Sequence, residues 1–72
     1  MFASNHIMKF FRFGHLPPHL QSIAVVVADA AETINALLTV ESAEKAAGLR
    51  KLLEAKDCFV RAAIEQQERQ MG

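Results

Sequence analysis

The sequence predicts an all-α protein. Apolar residues recur at three- and four-residue steps through two long segments, which is the spacing of one helix face. Only two prolines and three glycines interrupt the 72 residues, and 51% of the residues are hydrophobic, which argues against disorder. We predict a single domain, an antiparallel helical hairpin at 17–69 preceded by an N-terminal arm or short helix at 1–16.

The first long helix is predicted from Pro18 to Leu38. A proline at the first helical position loses no hydrogen bond that the helix needs. Pro17 also disfavours a helical conformation at Leu16, so the chain is expected to turn there. The apolar positions that follow at helical spacing are Leu20, Ile23, Val27, Ala30, Ile34, Leu37 and Leu38.

The second long helix is predicted from Ser42 to about Arg69. Thr39 and Ser42 are both suitable N-caps, and Glu44 lies where the helix dipole favours negative charge. The polar tail at 66–70 lacks the apolar period and is expected to fray. The predicted apolar face consists of Leu49, Leu52, Leu53, Phe59, Val60, Ala63 and Ile64.

The first long helix also predicts assembly. Apolar side chains cover nearly its whole circumference between Ile23 and Ala31, and a helix that is apolar all round must be buried all round. A two-helix hairpin hides only one stripe of each helix, so we expect an obligate homo-oligomer whose stability depends on concentration. Gly48, in the middle of the second helix, fits either a close approach by a helix or ligand or an ordinary surface glycine.

Composition and charge exclude several classes of protein. Eight Lys and Arg balance eight Asp and Glu, which disfavours a general coat for DNA or RNA, although basic zones at 1–28 and 45–61 flank an acidic bend and allow local anion binding. One cysteine excludes a disulfide framework. The longest apolar run has six residues, Ile23–Ala28, and the N-terminus has no signal-peptide pattern. We therefore expect a cytoplasmic protein without a membrane partner.

No residue pattern predicts catalysis, a cofactor or a metal. Glu54 and Asp57 share a helix face, but basic residues surround them, so a solvated charge network is the better interpretation. His15 and His19 lack a third ligand and have prolines between them. Cys58 falls within the predicted apolar face and is expected to pack as a small hydrophobe. We expect a protein that is not an enzyme.

Binding is better supported by the run Phe10-Phe11-Arg12-Phe13, in which aromatic rings alternate with a cation. Such a run suits a stacked nucleobase with its phosphate on arginine. Phe10 and Phe11 are expected to pack on the hairpin as a lid, whereas Phe13, beside a rigid turn, is the better candidate for a ring at a surface. Arg61 lies among apolar neighbours and either snorkels or faces an interface pocket for an anion. Antiparallel packing of the two helices would bring Phe13 near Arg61.

Two segments carry a resemblance to a known family. Residues 13–21 read Phe-Gly-His-Leu-Pro-Pro-His-Leu-Gln, and residues 48–62 read Gly-Leu-Arg-Lys-Leu-Leu-Glu-Ala-Lys-Asp-Cys-Phe-Val-Arg-Ala. Over about 10–64 the chain resembles the small phage cyclic-nucleotide sponges that share the helical hairpin of the anti-CBASS and anti-Thoeris proteins. The resemblance implies a non-enzymatic helical oligomer, a hexamer in the better-known cases, that sequesters cyclic oligonucleotides.

The resemblance also implies site residues. The family's pocket aromatic, usually Tyr, corresponds to Phe13, which stacks but donates no hydroxyl hydrogen bond, and its phosphate-binding arginine corresponds to Arg61. A lysine that some members carry on the first long helix has no counterpart here, so another cation must replace it. The candidate ligand-binding residues are Phe13, Arg61, Arg12, Lys56, His15, Arg50 and Lys51.

These observations lead to a first hypothesis about function, a main alternative and two weaker ones. The first is a sponge, in the cytoplasm of the infected bacterial host, that binds cyclic di- or trinucleotides such as cyclic GMP-AMP and so blocks anti-phage signalling. The alternative is an oligomeric helical adaptor that binds a host or phage protein through its apolar faces. A purely structural oligomer is the third hypothesis, and direct binding of DNA or RNA ranks last.

Overall fold

A computed structural model of the protein describes residues 4–71. Its elements in chain order are α1 (Ser4–Met8), a 3-10 helix (Lys9–Phe11), α2 (Pro18–Leu37) and α3 (Ala43–Met71). No strand occurs within these residues, so the predicted all-α class is confirmed. The molecule is a rod of 47 × 18 × 17 Å whose radius of gyration is 13.7 Å, against about 11 Å for a compact domain of this length.

The double proline starts α2 as predicted. Pro18 is the first helical residue, and the carbonyl of Pro17 accepts hydrogen bonds from the amides of Leu20 (2.9 Å) and Gln21 (3.3 Å). The Gln21 side chain folds back and donates from Nε2 to the carbonyl of Leu16 at 2.8 Å. Proline geometry and this side-chain bond together fix the angle at which the chain enters α2.

Ser42 is the cap of α3. Its Oγ accepts a hydrogen bond from the Lys45 amide at 3.1 Å, which satisfies one of the free donors in the first turn. The Lys45 ammonium, in turn, pairs with Glu41 Oε1 at 2.9 Å across the start of the helix. Of the two predicted caps, Ser42 is therefore the one used. The tail at 66–70, which was expected to fray, continues the helix to Met71.

The two long helices lie side by side. Ile23, near the start of α2, shares a groove with Phe59 and Ala63 of α3, whereas Ile34, near the end of α2, shares another with Leu52. The N-terminal residues pack on the same pair of helices. The core formed where these elements meet consists of Phe11, Val27, Ala28, Ala31 and Leu49, with Ile7, Met8, Phe13, Leu52 and Leu53 packed against it.

Much of the apolar surface remains exposed. On α2 the side chains of Val26 and Leu37 are 61% and 75% exposed, and on α3 that of Phe59 is 52% exposed. Within the chain, therefore, Phe59 and Ile64 of the predicted apolar face of α3 are not covered. Gly48 is also open, since a Cβ built on it meets nothing within 4 Å, so no close approach occurs there within the chain.

By length and composition alone, α2 is long and apolar enough to cross a membrane. Its 18-residue window has a mean hydropathy of 1.3, and 28% of that window is buried. The core helix of a water-soluble protein can have the same length and composition. The short apolar run at Ile23–Ala28 therefore does not exclude that α2 spans a membrane, and the absence of a membrane partner stays a prediction.

Candidate functional site

A tight turn precedes α2 and presents His15. The amide of Leu16 donates to the carbonyl of Phe13 at 3.0 Å, which closes the turn over Gly14 and His15. Gly14 does not have a positive φ, and a Cβ there would meet nothing within 4 Å. The turn therefore depends on its hydrogen bond and on the prolines that follow rather than on glycine.

The turn and α3 together form a shallow, open groove of about 210 Å³. His15 and Leu16 form one side, and side chains one turn apart on α3 form the other. Three of the seven sequence-predicted site residues meet here, from regions of the chain that lie about forty residues apart. The groove is lined by His15, Leu16, Lys56, Asp57, Val60 and Arg61.

Lys56 is the most unusual residue of the groove because its side chain is charged yet only 6% exposed. Its Nζ donates to the carbonyl of Phe10 at 2.9 Å and approaches that of Arg12 at 3.5 Å. No carboxylate within the described residues forms an ion pair with it. An ammonium has three donors and a full positive charge, and its two carbonyl partners are neutral, so within the described residues the charge has no ion-pair partner.

Arg61 is exposed at the rim of the groove. Its Nη2 donates to the Sγ of Cys58 at 3.3 Å, a weak bond that leaves most of the guanidinium donors available. Cys58 itself is exposed. The prediction that Cys58 packs as a small hydrophobe is therefore wrong, because this side of α3 carries the charged residues.

The groove carries a local excess of positive charge. Lys56 and Arg61 are cationic, Asp57 is anionic, and His15 adds a ring that can donate a hydrogen bond. The wider groove between the start of α2 and the end of α3, about 470 Å³, has no Lys or Arg in its lining. Of these two grooves, an anion is therefore expected to prefer the smaller one.

The other predicted site residues lie elsewhere. Phe13 does not line the groove; it is half-buried and packs against the core. Arg12 and Arg50 are exposed and do not line it either. Lys51 borders a separate apolar groove beside Ile34. Phe13 starts the turn that brings His15, two residues later, beside Arg61, so the predicted proximity of Phe13 and Arg61 stays a prediction.

Phe10 differs from its predicted place in a lid. It is 50% exposed, whereas Phe11 is 3% exposed and packs as expected. The His6 ring meets the Phe10 ring edge-on at a centroid distance of 6.0 Å, and the Lys9 ammonium lies 5.2 Å from the Phe10 centroid. Neighbouring residues of a 3-10 helix, like those of an α-helix, face different sides, so Phe11 packs on the core while Phe10 remains exposed.

No group of three or more His, Cys, Asp or Glu side chains that could hold a metal ion occurs in the described part of the chain. No protein-family model, curated protein or solved structure matches the chain. The resemblance to the sponge family therefore rests on the two segments quoted above.

Proposed function

We propose that this protein is a non-enzymatic sponge that sequesters cyclic oligonucleotide second messengers in the infected bacterial host. The observation that carries the proposal is the buried, uncompensated ammonium of Lys56 beside the exposed guanidinium of Arg61. A buried charge is costly unless a partner neutralises it. A phosphate in the groove would supply that partner and would accept charge-assisted hydrogen bonds from both side chains.

The volume of the groove bears on how the ligand binds. Pockets for drug-sized ligands measure about 300–1,000 Å³, and this groove measures about 210 Å³. It can hold a phosphate and part of a sugar, but not a whole cyclic dinucleotide. A symmetric arrangement of copies would present one groove to each phosphate, which is why the proposed unit is a homo-oligomer, such as a hexamer, of helical hairpins.

The partly buried ring of Phe13 is the proposed stacking surface for a base. It lies at the first position of the turn that carries His15, so a nucleotide held by its phosphate would extend towards it. Stacking of a base on an aromatic ring contributes about 1–3 kcal/mol. Sequestration requires tight binding and slow release, but no turnover.

Calorimetry against cyclic di- and trinucleotides and cyclic ADP-ribose isomers tests the proposal. We expect tight binding by the wild type, with fewer than one ligand per chain, and recovery of the ligand chemically unchanged. Arg61→Ala should weaken binding by about tenfold or more, because a charge-assisted bond contributes about 1.5–3 kcal/mol. Arg50→Ala is the matched control, since Arg50 is an exposed arginine of the same helix outside the groove.

Three outcomes would contradict the proposal: no binding across the panel, equal loss in the two arginine variants, or a linearised ligand. The exposed apolar surface at Val26 and Leu37 favours a second candidate, the helical adaptor. A stable complex with one host or phage protein, unaffected by Arg61→Ala, would favour the adaptor.

A further inference from the structure

One side of the molecule leaves an apolar surface of α2 uncovered. Val26, Ala30, Ile34 and Leu37 follow one another at steps of four, four and three residues, so they form one stripe of the helix. All four are exposed, Leu37 by 75%. The buried residues of α2, which include Leu20, lie on a different stripe. The core and the N-terminal residues pack against that other stripe and do not cover this one.

A partly uncovered surface continues onto α3, where Gly48, Phe59 and Ala62 are exposed and Leu52 and Ala55 are partly buried. Gly48, Leu52, Ala55, Phe59 and Ala62 alternate at steps of four and three, so small residues recur every seven positions with large ones between them. This is the seven-residue pattern by which helices pack side by side, the large side chain of one helix filling the space above a small residue of the other. Nothing within the chain fills that space at Gly48.

The two stripes join into a single face. Ile23 of α2 shares a groove with Phe59 and Ala62, and Ile34 shares the other with Gly48 and Leu52. The second groove, about 390 Å³, is lined by Glu44, Lys45 and Lys51 besides its apolar residues, and Lys45 is paired with Glu41. We call this surface the α2–α3 face; the groove that holds Lys56 and Arg61 does not belong to it.

The chain exposes more surface than a compact monomer of its mass. The chain exposes 5216 Å², whereas a compact monomer of 8.0 kDa exposes about 4,450 Å². This excess of about 770 Å² belongs to the whole elongated chain. It is close to the roughly 800 Å² that each partner contributes to an interface of standard size, so burial of one such face would reduce the exposed area to that of a compact monomer.

We propose that the α2–α3 face is the contact between copies of this chain, with α3 packed against α3 of a second copy around a two-fold axis. In such a contact the same patch serves both copies, so large residues of one copy meet small residues of the other. The inference rests on the oligomer in the proposed function but not on its ligand. It assigns the apolar face to assembly and leaves the groove of Lys56 free for the anion.

Thiol accessibility tests this contact with conservative changes. In a Cys58→Ser background, Ala62→Cys places a thiol on the α2–α3 face, and Ala36→Cys places one on an exposed position of α2 outside it. At high protein concentration we expect the thiol at 62 to react with a disulfide reagent at least about tenfold more slowly than the thiol at 36. Dilution should remove the difference, because it dissociates the copies.

Light scattering supplies a second readout. The wild type should give a mass that is a multiple of 8.0 kDa, and Ala62→Glu should lower that mass while Ala36→Glu does not. Equal thiol rates at every concentration, a monomeric wild type, or a monomer that binds lipid vesicles would each overturn the inference. Assembly without ligand binding would refute the sponge alone, and ligand binding by a monomer would refute this contact alone.

Discussion

Lys56→Met is expected to destabilise the protein by about 2 kcal/mol. Methionine keeps the apolar stem but removes the ammonium that binds the carbonyl of Phe10 at 2.9 Å. A hydrogen bond from a charged donor contributes about 1.5–3 kcal/mol, and the longer approach to Arg12 adds little. The relief of a buried charge offsets part of the loss.

Thermal unfolding at a fixed protein concentration measures this effect. For a domain of this size 1 kcal/mol corresponds to about 4–8 °C, so the melting temperature should fall by about 8–16 °C. Arg50→Met is the control, because Arg50 is exposed on the same helix and lines neither groove, and such changes stay within about 0.5 kcal/mol. If Lys56→Met melts within about 2 °C of the wild type, the bond to Phe10 does not outweigh the cost of burying the ammonium, and the predicted destabilisation is refuted.

Two further predictions concern the rest of the fold. Leu49 is the largest fully buried side chain in the described residues, at 1% exposed. Leu49→Ala should therefore lower the free energy of unfolding by about 3 kcal/mol, through lost burial and the cavity left behind. Urea unfolding measures this loss, and a value under about 1 kcal/mol would mean that the core is elsewhere. Ser42→Ala should cost about 1 kcal/mol, because the Lys45 amide loses its acceptor; circular dichroism during heating measures this, with Thr39→Ala as the control that should leave the melting temperature unchanged.

The starts of the two long helices could be predicted from local chemistry. Pro17 and Pro18 determine where α2 starts, and Ser42 supplies the cap that starts α3. These signals act over a few residues, so a pattern in the sequence carries them completely.

The burial of Lys56 could not be predicted in this way. Its acceptors, the carbonyls of Phe10 and Arg12, lie 46 and 44 residues earlier in the chain, and backbone carbonyls leave no mark in a sequence. The exposure of Phe59 and Cys58 could not be predicted for a different reason. Periodicity shows that a helix has an apolar stripe, but which stripe is covered depends on the position of its neighbours.

The long separation between Lys56 and Phe10 also bears on the order of folding. The loop between α2 and α3 spans only residues 38–42, so these helices meet at little entropic cost. Closing the 46-residue loop between Phe10 and Lys56 costs about 2 kcal/mol more. The N-terminal residues should therefore dock last and detach first, with their amides exchanging hydrogen well before those of the α2–α3 pair.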